Sequence, residues 1–239
     1  MGEISYTYMD SDGFVIVAKR RSCKPKLKID EMNLIYPCTI EISFKRTNEN
    51  VYRAMNQLTK DKYINMFLTI LEKILNGERI SKIKCYGIGH FGELDGSGTY
   101  QLALLLLIQK FYNIPVTIQE PILNDVEINY INNYPFFEYI SGDDLTSIEI
   151  SESQNDYVLF FIPHGEDEMY EGILKAHNNE KQRQKMIILG NVLDDISITY
   201  KNISNFKYWK EYYDVCKKHI LPTYNKCLGA FNNTCLMYN

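Results

Sequence analysis

The sequence predicts a three-layer α/β fold with a mostly parallel, Rossmann-like sheet, preceded by an extended N-terminal arm and a helical segment. Short apolar segments bounded by Gly, Pro or Asn alternate with segments of helical period over residues 83–191. This alternation is typical of parallel strands joined by right-handed helical crossovers. The first apolar segment also runs directly into a glycine turn and then into a long apolar helix, an order in which ligand-binding α/β sheets often begin.

The N-terminal part is predicted to differ from the rest of the chain. A short strand is expected at residues 13–18, and another extended piece within residues 34–44. Apolar side chains then recur at helical spacing over residues 51–75, which predicts one or two amphipathic helices. They end near Asn76-Gly77, a typical helix C-cap signal.

Five strands, with helices between them, are predicted in the remainder. Each strand is a short apolar run, and the helices open at polar or acidic residues that suit a helix N-terminus. The predicted strands cover residues 83–86, 116–118, 136–140, 157–162 and 186–189. The predicted helices cover residues 100–111 and 124–131 and start again near 166 and 206, with short extended pieces around 228–231 and 235–238.

Composition bounds the class of protein. The chain has 239 residues, 45% of them hydrophobic and 23% charged, with a net charge of -4. We assign residues 1–49 to the arm and residues 50–239 to one α/β domain. The negative net charge does not indicate a nucleic-acid-binding surface, so no nucleic-acid partner is expected. The longest apolar run, residues 102–108, is too short to cross a bilayer, so no membrane partner is expected. The six cysteines form no C-x-x-C pair, which predicts a reduced cytoplasmic or nuclear protein without a metal site.

The glycine turn is the most informative motif. Gly87-Ile88-Gly89-His90-Phe91-Gly92 has the G-x-G-x-x-G spacing that follows the first strand of dinucleotide-binding sheets. Glycines let the backbone turn tightly and approach a ligand closely. Here residues 93–99 delay the helix that usually begins within the motif. A simple connecting turn without a ligand is the alternative interpretation.

Candidate ligand contacts lie where the predicted strands end, because parallel sheets bind ligands beyond the carboxyl ends of their strands. An acid in the position of Glu120 can accept hydrogen bonds from ribose hydroxyls; a solvated strand-end acid is the alternative. Asn191 can touch a ligand or cap a helix. The full candidate set is Gly87, Gly89, His90, Phe91, Gln101, Glu120, Pro163, His164 and Asn191.

Two histidines are candidates for acid–base chemistry. His90 and His164 both follow predicted strands, where an imidazole can transfer protons or bind a metal. A histidine bonded to the backbone at a strand end is the alternative for both. Because no third ligand has suggestive spacing, we predict no metal site.

These strand-end motifs resemble the signature of the Sensitivity to Red Light Reduced (SRR) family over nearly the whole chain. The agreement is in order and spacing as well as in residue type. The matching pieces are residues 83–91 with 100–106, Asp12-Gly13-Phe14-Val15-Ile16-Val17, Glu120-Pro121, Phe160-Phe161-Ile162-Pro163-His164-Gly165, Ile187-Ile188-Leu189-Gly190-Asn191 and Ala230-Phe231-Asn232-Asn233-Thr234. Three positions depart from the pattern, namely His90, Gly165 (usually Cys) and Val192 (usually Ser).

The resemblance implies a role more than a reaction. Family members act in light and circadian-clock signalling, in regulation linked to heme biosynthesis, and in microtubule-related phenotypes, without an agreed enzymatic reaction. We therefore expect a regulatory protein with protein partners and a pocket for a nucleotide-like ligand. The candidates are S-adenosylmethionine, an adenine or nicotinamide nucleotide, or heme. A methyltransferase-like enzyme that holds a nucleoside cofactor with Gly87, Gly89 and Glu120 is the alternative, and a fold that serves only as an interaction surface is a third.

Overall fold

The computed structural model describes residues 5–9, 15–19, 29–142, 145–151, 153, 155–192 and 206–239, with backbone only before residue 43. The chain divides into two compact units, Met1–Thr39 and Ile40–Asn239. The first contains an antiparallel hairpin of β1 (Ser5–Met9) and β2 (Val15–Lys19). The predicted strand coincides with β2 over residues 15–18. The Asp12-Gly13-Phe14 part of the N-terminal motif lies outside the described residues.

A long helix, α1 (Ile29–Lys60), replaces the extended piece that we predicted within residues 34–44. That prediction is wrong. The alternation Ile40-Glu41-Ile42-Ser43-Phe44 is typical of a strand, but tertiary packing overrides such local preference. In the helix, Phe44 reaches the ring of Tyr130, with ring centroids 5.4 Å apart, and Thr47 is buried one turn later.

The helix α2 (Tyr63–Leu75) follows, so the predicted helical segment consists of two helices. Lys62, with a φ of 59°, separates them. Asn76 ends α2 in the left-handed conformation and Gly77 follows with a φ of +89°. The predicted C-cap is therefore confirmed.

Within the described residues, seven further strands form one open sheet. They are β3 (Ile80–Tyr86), β4 (Val116–Gln119), β5 (Phe137–Tyr139), β6 (Tyr157–Phe161), β7 (Met186–Asn191), β8 (Lys217–Ile220) and β9 (Thr234–Tyr238). Their order in the sheet is β5-β4-β3-β6-β7-β9-β8. The first five strands of this order are parallel, whereas β9 runs antiparallel to both of its neighbours. The helices are α3 (Ser97–Tyr112), α4 (Asp125–Asn132), α5 (Asp167–Ala176), α6 (Glu180–Arg183), α7 (Lys207–Val215) and α8 (Leu228–Phe231).

Helices cover both faces of this sheet, which confirms the three-layer α/β prediction. In β6, Leu159 and Phe161 point into the core shared with α2 and α3, while Val158 and Phe160 point into the core shared with α5 and α7. Side chains of a strand alternate between faces, so a strand buried on both sides is apolar throughout. One tail prediction is wrong, because residues 228–231 form the short helix α8 rather than an extended piece; the turn packs Ala230 and Phe231 into the core.

A group of buried and half-buried polar side chains connects the segment after β5 to the sheet. Glu149 accepts hydrogen bonds from Lys82 Nζ at 2.6 Å, Lys84 Nζ at 3.0 Å and Ser147 Oγ at 2.8 Å. Burial opposes the charge of Glu149, but these hydrogen bonds outweigh it and lower its pKa to about 2. The backbone N–H of Glu149 donates to His177 Nε2 at 2.8 Å, and His177 Nδ1 donates to the carbonyl of Ile173 at 2.8 Å.

We expect His177 to make stability depend on pH. Burial lowers its pKa below the ordinary 6.5, so the unfolded state binds more protons in mild acid. The stabilisation is complete above pH 6.5 and is lost as the pH falls below it. The free energy of unfolding, measured in urea between pH 7.5 and 5.5, should fall by up to about 1.4 kcal/mol per pH unit below 6.5. His177→Gln should flatten this dependence; an equal slope in both proteins would contradict the assignment.

Candidate functional site

The loop after β3 turns through three glycines with positive φ. Gly87, Gly89 and Gly92 have φ values of +66°, +69° and +93°, a conformation that other residues rarely adopt. A Cβ on Gly87 would lie 3.2 Å from Met169 Sδ, so Gly87 is packed against α5. A Cβ on Gly89 would meet nothing within 4 Å. Gly89 therefore faces open space at the carboxyl edge of the sheet.

The rest of this glycine loop is held between α1 and α3. A Cβ on Gly92 would lie 2.6 Å from Thr47 Oγ1, and Asn50 Nδ2 donates to the Gly92 carbonyl at 2.8 Å. The Gly92 N–H donates to Thr99 Oγ1 at 2.9 Å. A Cβ on Gly98 would lie 2.2 Å from the His90 carbonyl oxygen. The delayed helix is thus packed directly against the loop, although it does not begin within the glycine motif.

Glu120 lies beside the open glycine, as the strand-end rule predicts. It is 5% exposed, and its Oε2 accepts the Gly89 N–H at 2.9 Å while its Oε1 accepts the Ile122 N–H at 3.3 Å. It is therefore not a solvated strand-end acid. Burial, together with the charge of Glu120, raises the pKa of the Cys85 thiol well above its usual range, so Cys85 is a packing residue rather than a nucleophile.

His90 and Phe91 point in different directions from the loop. The His90 side chain is 58% exposed, with Nδ1 3.0 Å from Glu127 Oε2. Phe91 is 5% exposed; its ring lies 5.8 Å from that of Tyr130, and its N–H donates to Glu127 Oε1 at 2.7 Å. The ring of Phe91 therefore lies in the core, while that of His90 lies at the surface.

Gln101 is also turned inward. It is 3% exposed, and its Nε2 donates to the Ala230 carbonyl at 3.0 Å, which joins α3 to α8. This hydrogen bond occupies the side chain that the sequence suggested for the cleft. In the structure, Gln101 holds the tail against the domain.

The ends of β6 and β7 form a second group at the same edge. Pro163 is buried, and His164 is exposed with a φ of +57°. Asn191 Oδ1 accepts the His164 N–H at 2.9 Å, and Asn191 Nδ2 donates to the Gly165 carbonyl at 2.8 Å. Asn191 thus bridges the two strand ends. The helix that it was expected to cap would fall in residues 193–205, outside the described part of the chain.

The two groups meet at the topological switch point of the sheet. The chain continues from β3 to β4 on one side and from β6 to β7 on the other, which places the switch point between β3 and β6. A Cβ on Gly87 would lie 3.8 Å from the Gly165 Cα, so the loops after these two strands lie side by side there. The structure therefore brings Gly87, Gly89 and Glu120 to the same edge as the more distant His164 and Asn191.

Sequence reasoning missed the residues that support this edge. Glu127, 3% exposed, accepts the Asn124 N–H at 2.9 Å and completes a capping box at the start of α4. The spacing Asn124-x-x-Glu127 before an apolar run is a visible signal for that role. Thr47 and Asn50 carry no such signal, because their contacts depend on how α1 packs.

Three loops that the structure describes at this edge are acidic. Residues 87–96, 120–127 and 163–168 contain no Lys or Arg. Their carboxylates are Glu93, Asp95, Glu120, Asp125, Glu127, Glu166, Asp167 and Glu168. Among the residues that the structure describes, no three His, Cys, Asp or Glu side chains are grouped to hold a metal ion. Nor does any helix in the described ranges have the length and apolar character to cross a bilayer.

The model of the SRR1 domain family matches residues 67–238. The chain belongs to the SRR1 domain family. The match contains every candidate ligand residue and the whole open sheet, so the resemblance of the strand-end motifs is confirmed. The supporting residues Thr47 and Asn50 of α1 precede the matched part of this SRR1 domain protein. A comparison with curated proteins finds no match.

Solved structures resemble the SRR1 domain protein only distantly. MtNAS in complex with MTA and tNA has a TM-score of 0.42 and 11% identity, with 82% of this chain and 70% of that chain covered. SAH-bound Podospora anserina methyltransferase PaMTH1 has a TM-score of 0.41 and 11% identity, with 92% and 99% covered. Human N-acetylserotonin methyltransferase in complex with SAM has a TM-score of 0.34 and 11% identity, with 66% and 47% covered.

Proposed function

We propose that this SRR1 domain protein is a regulatory protein that binds a phosphate-free nucleoside at the carboxyl edge of its sheet. The regulatory role is inferred from the family, whose members act in clock and light signalling or in regulation linked to heme biosynthesis. Protein partners would recognise the ligand-bound form of the protein. Four cysteines, Cys85, Cys216, Cys227 and Cys235, are free and buried, which supports a reducing compartment, the cytoplasm or nucleus.

The contact between Glu120 and Gly89 is the observation that carries the ligand proposal. A carboxylate can accept about four hydrogen bonds, and two backbone N–H groups use only part of this capacity. The Glu120 carboxylate thus keeps acceptor capacity beside Gly89, whose Cβ position meets nothing within 4 Å. Ribose hydroxyls donate to an acid at this strand end in other Rossmann-like sheets. A nucleoside placed over Gly89 would find such an acceptor in Glu120.

The charge of the surrounding loops selects among the candidate ligands. Like charges repel, so acidic loops without Lys or Arg oppose ligands that carry phosphates or several carboxylates. Adenine and nicotinamide nucleotides and heme, with its propionates, are therefore disfavoured. S-adenosylmethionine, whose ammonium and sulfonium groups are cationic, fits the edge best among the four candidates.

The proposal is tested by ligand-induced stabilisation. Adenosine and S-adenosylmethionine should raise the unfolding temperature of the wild type, since a ligand at 100 times its dissociation constant adds about 2.7 kcal/mol of stability. ATP, NAD and heme should not. Glu120→Ala should weaken nucleoside binding by about 1.5–3 kcal/mol, the range for hydrogen bonds to a charged group.

Glu138→Ala is the matched control, because Glu138 lies exposed on β5 and carries the same charge. Its nucleoside affinity should equal that of the wild type. If no nucleoside stabilises the wild type, the ligand proposal fails and a fold that serves only as an interaction surface becomes the better explanation.

A methyltransferase-like enzyme is the second candidate. The exposed imidazole of His90 backed by the buried carboxylate of Glu127 favours it, because general bases are commonly oriented in this way. The test is conversion of S-adenosylmethionine to S-adenosylhomocysteine with cell extract as the source of acceptor. An enzyme should show turnover that His90→Asn abolishes while binding persists.

A further inference from the structure

Glu127 does more at this edge than a helix cap requires. Its carboxylate accepts the Asn124 N–H at 2.9 Å, the Phe91 N–H at 2.7 Å and a third contact from His90 Nδ1 at 3.0 Å. A glutamine at this position would complete the capping box equally well. The contact with His90 adds nothing to the cap, yet it fixes an imidazole that is 58% exposed.

This contact determines which nitrogen of His90 carries the proton. An ionised carboxylate only accepts hydrogen bonds, so the partner nitrogen Nδ1 must be the donor. In the neutral ring, the exposed Nε2 then has a free lone pair. His90 therefore offers a hydrogen-bond acceptor to solvent or to a ligand.

The Glu120 carboxylate is a second acceptor at this loop. Its Oε2 accepts the N–H of Gly89, the residue that directly precedes His90, at 2.9 Å. Two acceptors held at consecutive residues of one loop suit a ligand that presents two neighbouring donors. The 2′- and 3′-hydroxyls of a ribose are such a pair.

We infer that Glu127 is a positioning residue which holds His90 so that Nε2 accepts one ribose hydroxyl, while Glu120 accepts the other. This inference rests on the proposed nucleoside site and adds the basis of its selectivity. The edge recognises an intact vicinal diol, so it prefers ribonucleosides to deoxynucleosides. Two different side chains, those of His90 and Glu120, each accept a hydrogen bond from one of the two hydroxyls.

The first experiment measures binding of adenosine, 2′-deoxyadenosine and 3′-deoxyadenosine by calorimetry. The wild type should bind adenosine at least about tenfold more tightly than either deoxynucleoside, since one hydrogen bond of about 1.4 kcal/mol is a factor of ten and bonds to a charged group are stronger. His90→Ala should lose the preference against one deoxynucleoside only, and Glu120→Ala the preference against the other. His219→Ala, an exposed histidine of β8, should keep both preferences.

The second experiment tests the role of Glu127 independently of any ligand. Nitrogen NMR of the imidazole at pH 8 should show the Nδ1–H form of His90 in the wild type. Glu127→Ala removes the acceptor of Nδ1, so His90 should shift to the Nε2–H form that a free imidazole favours, with the same loss of selectivity as His90→Ala. Asn124→Ala is the control for the lost helix cap, because it removes the other half of the capping box and keeps the contact between Glu127 and His90. It should retain the Nδ1–H form and both preferences.

The outcomes separate this inference from the proposed function. If Glu120→Ala weakens adenosine binding while His90→Ala keeps both preferences, the inference is wrong and the nucleoside site stands. If wild-type His90 is in the Nε2–H form, the positioning role of Glu127 is overturned whatever binds. If adenosine does not bind the wild type at all, the proposed function is wrong, and so is the inference that the edge recognises the ribose diol.

Discussion

Gly98→Ala is expected to destabilise the protein by roughly 3 kcal/mol, at the upper end of overpacking effects. The new methyl group would lie 2.2 Å from the His90 carbonyl oxygen and 2.9 Å from that of Ile88. Backbone atoms cannot rotate away, so the start of α3 or the glycine loop must shift. Alanine gains up to about 1 kcal/mol over glycine in a helix interior, which is too little to compensate. Unfolding in urea measures the difference.

Gly89→Ala is the natural comparison for Gly98→Ala. Its methyl group would meet nothing within 4 Å, and its cost comes from a φ of +69° alone. We expect about 1–2 kcal/mol, the strain of a left-handed conformation. If Gly98→Ala were as stable as the wild type, α3 could not be packed against residues 88–90 as the structure shows.

Tyr170→Ala is expected to cost about 3–5 kcal/mol, as for other large aromatic deletions in a core. Tyr170 is 1% exposed, and its ring stacks on Trp209 with centroids 4.4 Å apart. Its hydroxyl accepts the Asn191 N–H at 2.9 Å and donates to the Ile162 carbonyl at 3.0 Å. The substitution removes the ring and both of these hydrogen bonds, which join the ends of β6 and β7.

Tyr170→Phe separates the two effects. It keeps the ring and loses only the hydrogen bonds, so we expect about 1–3 kcal/mol from the groups left unpaired. Tyr52→Ala, at an exposed tyrosine of α1, should change the free energy of unfolding by less than about 0.5 kcal/mol. Equal effects of Tyr170→Phe and Tyr170→Ala would mean that the ring contributes no packing energy.

The central strands could be predicted from the sequence because burial on both faces leaves a continuous apolar run. Strand β8 could not, since Lys217-Lys218-His219-Ile220 is exposed throughout and carries the charges typical of an edge strand. The strand exists because β9 pairs with it over all four residues. Strand β8 is therefore identified by its pairing with β9 and not by its own sequence. The helical start of α1 was hidden in a similar way by a local alternation typical of a strand.

The candidate site could be predicted only where the strand order of the sheet alone determines which residues lie close together. Parallel strands end at one edge, so Gly89 and Glu120 had to come close wherever the helices lay. The orientations of side chains that depend on helix packing could not be predicted. Glu127 turned toward the loop, Gln101 turned away from it, and Phe91 entered the core. These choices follow from the way α3 and α4 pack, which a single sequence does not encode locally.

The support of the glycine loop by α1 has a consequence for where this protein can be divided. The family match begins at residue 67, whereas Thr47 and Asn50, which contact Gly92, lie before it. A polypeptide trimmed to the match would retain the loop and lose one of the two helices that hold it. The matched sequence and the compact unit that contains the sheet thus have different borders. Fragments meant to retain the supported glycine loop should begin no later than residue 40, where the larger compact unit starts.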